Sequence, residues 1–236
     1  MRALPSSSSI VIVLLLCLAS FLAACSGPAR AAADAKPLPK PATDLPAPSA
    51  EEKTRTAYFA GGCFWCAEAA FESLKGVSDV TSGYAGGTKG TATYERYHES
   101  NHAETVKITY DPHVITYAQL LQVLFTISEP TVKDKQGPDA GHQYRMAVFY
   151  ENDEQKKVAE AYVKQLSDAK VFDEPIVTTV EPMPEGFFPA EDYHQDYVLH
   201  HPDQPYVRAW SIPKLEKLRA CFPDLIKPDS LAAKVK

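Results

Sequence analysis

The sequence predicts an α+β domain, a two-layer α/β sandwich in which strands alternate with helices and are joined by long irregular loops. Short apolar or alternating runs, which are typical of strands, are separated by longer segments with helical periodicity. The composition is that of a globular protein, with 45% apolar and 23% charged residues. A chain of 236 residues can form one sizeable domain or two small ones, and no internal repeat divides it.

The elements follow one another in a regular order. The third strand is the clearest, because Val106, Ile108 and Tyr110 alternate with polar residues and so share one face. Asn152 or Asp153 is suited to cap the third helix. Strands are predicted over residues 54–60, 77–84, 105–110, 145–150 and 176–181, and helices over 63–74, 117–127, 153–169 and 214–221.

Two polar connections and the N-terminal part lie outside these elements. The loops over 88–102 and 128–143 are longer than most connections in a compact domain, which favours a functional role. Residues 1–24 have the pattern of a targeting segment, with an early arginine and an apolar run. Residues 25–52 are rich in Ala and Pro and predict a flexible tether with a reach of roughly 80 Å. The folded domain is expected over 53–236.

The chemistry centres on the stretch Gly61-Gly62-Cys63-Phe64-Trp65-Cys66. The glycines allow a sharp turn, which places Cys63 at a helix start, where free N–H groups and the helix dipole favour an anion. Cys63 is therefore predicted to have a lowered pKa and to act as a nucleophile. The alternative is a structural disulfide, but a bridge between residues three apart closes only a tiny loop.

Charge and residue counts argue against several other classes of function. The net charge of −6 disfavours nucleic acid or an anionic membrane surface as the main partner. Five cysteines, at positions 17, 25, 63, 66 and 221, are too few for a disulfide scaffold. The neighbouring His200 and His201 cannot place both rings on one helix face. No metal site is predicted.

The stretch Leu22-Ala23-Ala24-Cys25 resembles the lipobox of bacterial lipoproteins. The resemblance implies cleavage before Cys25, lipidation of Cys25 and a periplasm-facing position in the cell envelope. Ser26 after the cysteine favours the outer membrane. Two alternatives stay open: a plain secretory signal, and a spanning helix, although the apolar run is shorter than the usual ~20 residues.

Several stretches together resemble the A-type peptide methionine sulfoxide reductases, in the family's order and over about residues 54–222. The resemblance implies a mixed, ferredoxin-like βαβ core and the reduction of methionine S-sulfoxide, free or in proteins. It also implies no cofactor, with electrons supplied by a thioredoxin-like protein. The matching stretches are Gly62-Cys63-Phe64-Trp65-Cys66, Gly83-Tyr84-Ala85-Gly86-Gly87, His102-Ala103-Glu104, Tyr110-Asp111-Pro112, Gln136-Gly137 with Asp139, Gly141 and Gln143-Tyr144-Arg145, and Ala190-Glu191-Asp192-Tyr193-His194-Gln195.

The resemblance gives Cys63 and Glu104 complementary roles. Cys63 would attack the sulfoxide sulfur and become a sulfenic acid, while Glu104 would protonate the oxygen, which requires a raised pKa. The residues alone favour a different interpretation, an exposed strand-edge glutamate beside His102. Phe64 and Trp65 would form an apolar wall around the S-methyl group. The alternative is that both are ordinary core residues.

Three further polar residues match the family's positions around the substrate oxygen and main chain, namely Tyr94, Asp139 and Tyr144. The alternatives are rim aromatics for the tyrosines and a turn residue for the aspartate. The interval from Tyr94 to Glu104 is two residues shorter than the family pattern. Tyr97 could therefore take the place of Tyr94.

A second thiol must resolve the sulfenic acid. Cys66 is the near candidate and Cys221 the far one, which is most simply a buried core thiol. Many family members place a recycling cysteine in a glycine-rich tail, whereas this chain has Pro205-Tyr206-Val207-Arg208 there. This departure favours Cys66. Tyr193 and His194 are expected to form a buried supporting hydrogen-bond network.

Two rival functions stay open. A membrane-tethered scaffold could keep the fold without activity, but Cys63, Glu104 and Tyr144 are all intact. A thiol–disulfide exchanger would also use Cys-x-x-Cys, although it would need no acid at Glu104. The expected function is repair of oxidised exported proteins.

Overall fold

The computed structural model describes residues 37–235. The predicted signal segment, the lipidation candidate Cys25 and the first part of the tether lie outside this range. Along the described chain, no helix is both long enough and apolar enough to cross a membrane.

Six strands form one mixed sheet, and two short strands form a separate hairpin. The bounds are β1 (Arg55–Gly61), β2 (Val77–Ala85), β3 (Ala103–Tyr110), β4 (Lys135–Gln136), β5 (Asp139–Ala140), β6 (Met146–Tyr150), β7 (Thr179–Pro182) and β8 (Phe187–Pro189). The sheet order is β7-β6-β1-β3-β2-β8, and β4 pairs with β5. Neighbours are antiparallel except β6 and β7, which are parallel.

The pairing produces two interlocked βαβ units. Strands β1 and β2 are both antiparallel to β3, which lies between them, so they run parallel to each other. Strands β3 and β6 are related in the same way across β1. Parallel strands need a crossover, and a helix supplies it in each unit. The predicted ferredoxin-like core is confirmed.

The helices cover one face of the sheet, as a two-layer architecture requires. In chain order they are α1 (Phe64–Glu72), α2 (Tyr117–Ile127), α3 (Asp153–Asp168), α4 (Tyr197–His200), α5 (Ile212–Cys221) and α6 (Leu231–Lys234). The main apolar core includes Ile108 of β3 and Phe71 of α1. Helix α3 packs on α2 through Phe125 and Tyr162, whose ring centroids are 5.5 Å apart.

Local sequence signals account for most of these boundaries. The Thr116 hydroxyl accepts from the Gln119 N–H, and the Gln119 side chain accepts from the Thr116 N–H, which fixes the start of α2 by a capping box. The Asn152 side chain caps α3. The predicted strand over 176–181 begins too early, because β7 begins at Thr179. The sequence did not predict β8 or the hairpin formed by β4 and β5. The unpredicted strands β4, β5 and β8 are two or three residues long, too short to show a periodicity.

The predicted tether lies within the described range only from residue 37 onward, and there it is bound to the domain. Its backbone contacts α2 and α3 side chains: the Gln122 amide donates to the Leu38 carbonyl (2.6 Å) and the Tyr162 hydroxyl to the Pro39 carbonyl (2.9 Å). Leu38 and Leu45 pack against the main core. The prediction of an unpacked tether is therefore wrong for residues 38–45, because side chains distant in sequence satisfy its backbone groups.

Candidate active site

A turn between β1 and α1 presents the first cysteine. Gly62 has a φ of +87°, and a Cβ there would lie 2.5 Å from the Gln136 side chain, so only glycine fits. Cys63 follows as the N-cap residue of α1. The predicted position of Cys63 at a helix start is confirmed, and its side chain is buried.

The first free N–H group of α1 is taken by a carboxyl group rather than by the thiol. The Phe64 N–H donates to Oε2 of Glu104 at 2.9 Å, and the Tyr97 hydroxyl donates to Oε1 at 3.0 Å. Glu104 is only 2% exposed, so the interpretation as an exposed edge residue is wrong. Burial raises the pKa of Glu104 to about 8, and the group carries a proton at neutral pH.

The two thiols lie in different electrostatic surroundings. Burial raises the pKa of Cys63, and the neighbouring Cys66 acts in the same direction, so the predicted lowering is wrong for the free protein. The hydrogen bond from the Cys63 thiol lowers the pKa of Cys66, with the Lys214 ammonium and the Ser211 hydroxyl acting alike. Negative charge on the pair is therefore held at Cys66. The helix-start rule fails for Cys63 because burial of the thiol outweighs the effect of the helix start.

The two aromatic residues between the cysteines have different surroundings. Phe64 is fully buried and packs against the ring of Tyr84, with centroids 6.0 Å apart. Trp65 is half-buried and stacks on Tyr197, with centroids 3.7 Å apart and planes 7° apart. Its indole Nε1–H donates to Nδ1 of the buried His194 at 3.1 Å. These contacts fix the orientation of the Trp65 ring beside the thiols.

The tyrosine loop places Tyr97, not Tyr94, against the acid. Tyr97 is 4% exposed, and its hydroxyl lies 3.5 Å from the hydroxyl of Tyr144. Tyr94 is 41% exposed and stacks on the outer face of Tyr97, with centroids 5.7 Å apart. Tyr97 therefore has the position beside Glu104 that the sequence predicted first for Tyr94. The shortened loop brings the later of the two tyrosines to Glu104.

Asp139 reaches the site from the β4–β5 hairpin, beside Gly137 and Pro138. Its carboxylate accepts a hydrogen bond from the Tyr206 hydroxyl. Burial raises the pKa of Asp139. Both thiols, Asp139 and Tyr206 line a cavity of about 100 Å³, together with Ile127, Glu129, Gln136, Gly137, Pro138, Trp210 and Lys214.

The predicted supporting pair is only half present. His194 is buried and holds Trp65, as expected, but Tyr193 is 61% exposed, so its predicted burial is wrong. The neighbouring Glu191 supplies support instead: its carboxylate accepts from the Tyr84 hydroxyl (3.0 Å) and from the Tyr94 N–H (3.0 Å).

Three site residues were not found from the sequence. Tyr206, Ser211 and Lys214 come from the C-terminal segment, where Val207–Ser211 form a π-helical turn that runs into α5. The only signal was the departure from the expected tail at residues 205–208. Cys221, at the far end of α5, is buried as predicted.

Residues 37–235 contain no group of three or more His, Cys, Asp or Glu side chains placed to hold a metal ion.

Comparisons with known proteins agree with this arrangement. A family model described as peptide methionine sulfoxide reductase matches residues 55–224. The chain is 45% identical over 199 residues to peptide methionine sulfoxide reductase MsrA 2 of Synechocystis sp., which covers 83% of this chain and 92% of that protein. It is 48% identical over 174 residues to the MsrA of Thermus thermophilus, covering 73% and 97%.

Solved structures agree as well. Mxr1 from Saccharomyces cerevisiae in its reduced form matches with a TM-score of 0.59 and 31% identity, covering 64% of this chain and 88% of that one. Methionine sulfoxide reductase A of Corynebacterium diphtheriae matches with a TM-score of 0.56 and 31% identity, covering 71% and 84%. The family match spans the whole sheet and both cysteines of the β1–α1 turn. We conclude that the chain belongs to the peptide methionine sulfoxide reductase family and is an enzyme that reduces methionine sulfoxide.

Proposed function

We propose that this enzyme reduces methionine S-sulfoxide, free or in proteins, through a sulfenic acid on Cys63 and a Cys63–Cys66 disulfide. One observation carries the proposal: the buried Glu104 accepts a hydrogen bond from the N–H of Phe64, the residue after Cys63, and burial raises its pKa to about 8. A sulfoxide oxygen leaves poorly, so its reduction needs an acid and a thiol at one place. Thiol–disulfide exchange does not require such an acid, because its leaving group is a thiolate.

The first step transfers the sulfoxide oxygen to the enzyme. The Cys63 sulfur attacks the sulfoxide sulfur while Glu104 donates its proton to the oxygen. The oxygen passes to the Cys63 sulfur as a sulfenic acid, methionine leaves, and the proton released by Cys63 replaces the one lost by Glu104. The Cys63 sulfur is oxidised and the substrate sulfur is reduced by two electrons. Tyr97 and Tyr144 lie where hydroxyl groups can stabilise the oxygen as charge develops.

The second step resolves the sulfenic acid with Cys66. Attack by the Cys66 sulfur forms the S–S bond, breaks the S–O bond and releases water. The two cysteines are three residues apart at the start of α1, and Cys63 has the largest effect on the pKa of Cys66, lowering it. Cys221 lies ten residues beyond Ser211 along one continuous helical segment. At 1.5 Å per residue it is about 15 Å from the hydroxyl that touches Cys66, which argues against it as the resolving thiol.

The third step returns both cysteines to thiols. A dithiol reductant of the thioredoxin type attacks the Cys63–Cys66 disulfide and leaves oxidised. The family resemblance supports this reductant, and so does the Cys-x-x-Cys pairing, since a disulfide between residues three apart is readily exchanged.

A pair of assays separates this function from general thiol–disulfide exchange. We expect the purified enzyme with a thioredoxin system to consume methionine S-sulfoxide, both free and in a peptide, and to leave the R epimer untouched. Reduction of insulin disulfides is expected to be slow. Cys63→Ser is the control and removes the sulfoxide activity. Ready reduction of insulin without turnover of the S-sulfoxide would overturn the proposal.

We also propose that the enzyme is a lipoprotein of the bacterial envelope, facing the periplasm, and that it repairs oxidised exported proteins. The support is the lipobox-like stretch ending at Cys25 and the apolar run before it. Expression of the full chain with labelled palmitate is expected to give a labelled protein in the outer-membrane fraction. Cys25→Ala should lose the label, and the matched Cys17→Ala should keep it. An unlabelled, freely released wild-type protein would rule out the anchor.

A further inference from the structure

The C-terminal helical segment brings a hydroxyl and an ammonium group to one thiol of the pair. The Ser211 hydroxyl lies 3.0 Å from the Cys66 sulfur, and Ser211 is 1% exposed. Lys214 lines the same cavity as Cys66, and its ammonium group donates to the Gly61 carbonyl at 3.2 Å. Ser211 and Lys214 are three residues apart, so they share one helix face toward the thiol.

The π-helical turn over Val207–Ser211 shapes this contact. A π turn widens the helix locally and is frequent at functional sites. Here it ends at Ser211, directly before α5 supplies Lys214. A hydroxyl and a cation stabilise a thiolate, and Cys66 has both in Ser211 and Lys214; the Tyr206 hydroxyl acts on both sulfurs, and no cation acts on Cys63 among its main influences. The surroundings of the two sulfurs therefore differ in charge.

We propose that Ser211 and Lys214 are positioning residues that hold Cys66 as an oriented thiolate for attack on the Cys63 sulfenic acid. This inference rests on the proposed function, in which Cys66 is the resolving thiol. The thiolate attacks the sulfenic sulfur, the S–S bond forms as the S–O bond breaks, and the oxygen leaves as water with one proton from the solvent in the cavity. Cys66 is oxidised and the Cys63 sulfur is reduced.

Of the other titratable groups near the pair, Glu104 belongs to the first step, the Tyr206 hydroxyl acts on both sulfurs, and Glu129 and Asp139 line the same cavity. They differ from Lys214, which is the cation among the groups that act on Cys66. In the free protein the Cys63 thiol also donates to Cys66, but that donor is lost once Cys63 is a sulfenic acid. Ser211 and Lys214 then stabilise the thiolate together with the Tyr206 hydroxyl, and Lys214 is the group among them that carries a positive charge.

The test measures the two steps separately in the full-length enzyme and in Ser211→Ala, Lys214→Met and Lys214→Arg. Without reductant, methionine released in the first turnover reports step one. Trapping of the sulfenic acid with dimedone, and mass spectrometry of the disulfide, report step two as a function of pH. We expect Ser211→Ala and Lys214→Met to resolve the sulfenic acid about tenfold more slowly at neutral pH, since thiolate fraction sets the rate. The pH at which step two reaches half its maximal rate should increase, because the thiolate of Cys66 then forms only at higher pH.

Conservative and matched variants guard against a merely structural effect. Lys214→Arg keeps the charge and should restore most of the resolution rate. Lys217→Met removes a lysine from the same helix, next to Cys221 rather than Cys66, and should leave both steps unchanged. First-turnover methionine close to the wild-type yield shows that each variant is folded.

The outcomes distinguish the two levels of the proposal. A wild-type enzyme that forms no Cys63–Cys66 disulfide contradicts the proposed function itself. A wild-type enzyme that forms it, with Ser211→Ala and Lys214→Met resolving at the same rate and with the same pH profile, contradicts only the role of Ser211 and Lys214.

Discussion

Glu104→Gln is expected to slow methionine formation in a single turnover by about 10²- to 10⁴-fold, the range for loss of a general acid. Glutamine can keep the hydrogen bond from the Phe64 N–H but has no acidic proton to give. In the wild-type enzyme, Glu104 is protonated below its pKa of about 8 and loses its proton above it. The single-turnover rate should therefore fall as the pH rises through about 8, and this descending limb should be missing from the variant. Rapid-quench measurement of methionine against pH tests both effects.

Two tyrosine variants sharpen the same experiment. Tyr97→Phe removes the hydroxyl that donates to Oε1 of Glu104, so the rate should fall. Because this hydrogen bond lowers the pKa of Glu104, its loss should shift the descending limb to higher pH. Tyr94→Phe changes an exposed neighbour and should alter the rate far less. A descending limb that persists in Glu104→Gln would show that another group supplies the proton. A larger effect of Tyr94→Phe than of Tyr97→Phe would show that Tyr94, as first predicted, is the tyrosine that acts at the substrate oxygen.

Cys66→Ser is expected to abolish sustained turnover while still releasing about one methionine per enzyme. The first step uses Cys63 and Glu104, which the substitution leaves in place. The sulfenic acid then has no neighbouring thiol and accumulates, because Cys221 is about 15 Å away along the helix. Quantifying methionine with and without a thioredoxin system, together with the mass of the oxidised protein, measures both effects.

Cys221→Ser is the matched control for this prediction and should keep full turnover with a Cys63–Cys66 bridge. If the oxidised wild-type enzyme instead contains a Cys63–Cys221 bridge, or if Cys66→Ser turns over normally, Cys66 is not the resolving thiol.

The strands and helices with a clear hydrophobic period could be predicted from the sequence. The burial of Glu104 follows from the same kind of pattern, although it was not the interpretation that the residues alone favoured. Glu104 has the same strand parity as Val106 and Ile108, so it lies on the same face of β3, which packs under the helices. Interpreted by its charge alone, it resembled a surface residue. Strand parity was the better guide, because in a strand the side-chain period of two decides the face whatever the residue type.

Other features depend on contacts between distant segments and leave no local pattern. Ser211, which lies against Cys66, is the last residue of a π-helical turn, and no spacing rule identifies such a turn. The raised pKa of Cys63 also follows from tertiary structure, because it is caused first by burial of the thiol and then by the neighbouring Cys66. A helix start favours a thiolate only when this cost of burial is smaller than the gain from the helix N–H groups and dipole.

The binding of residues 38–45 to α2 and α3 sets how far the enzyme can work from its proposed anchor. With Leu38 held on the domain, only thirteen peptide steps separate it from Cys25. At most ~3.6 Å each, they give a radius of about 45 Å, against the roughly 80 Å of a fully free tether. In the anchored form, Leu38 would stay within that distance of the lipid surface. The enzyme would therefore act mainly on oxidised proteins near the membrane rather than on those in the bulk compartment.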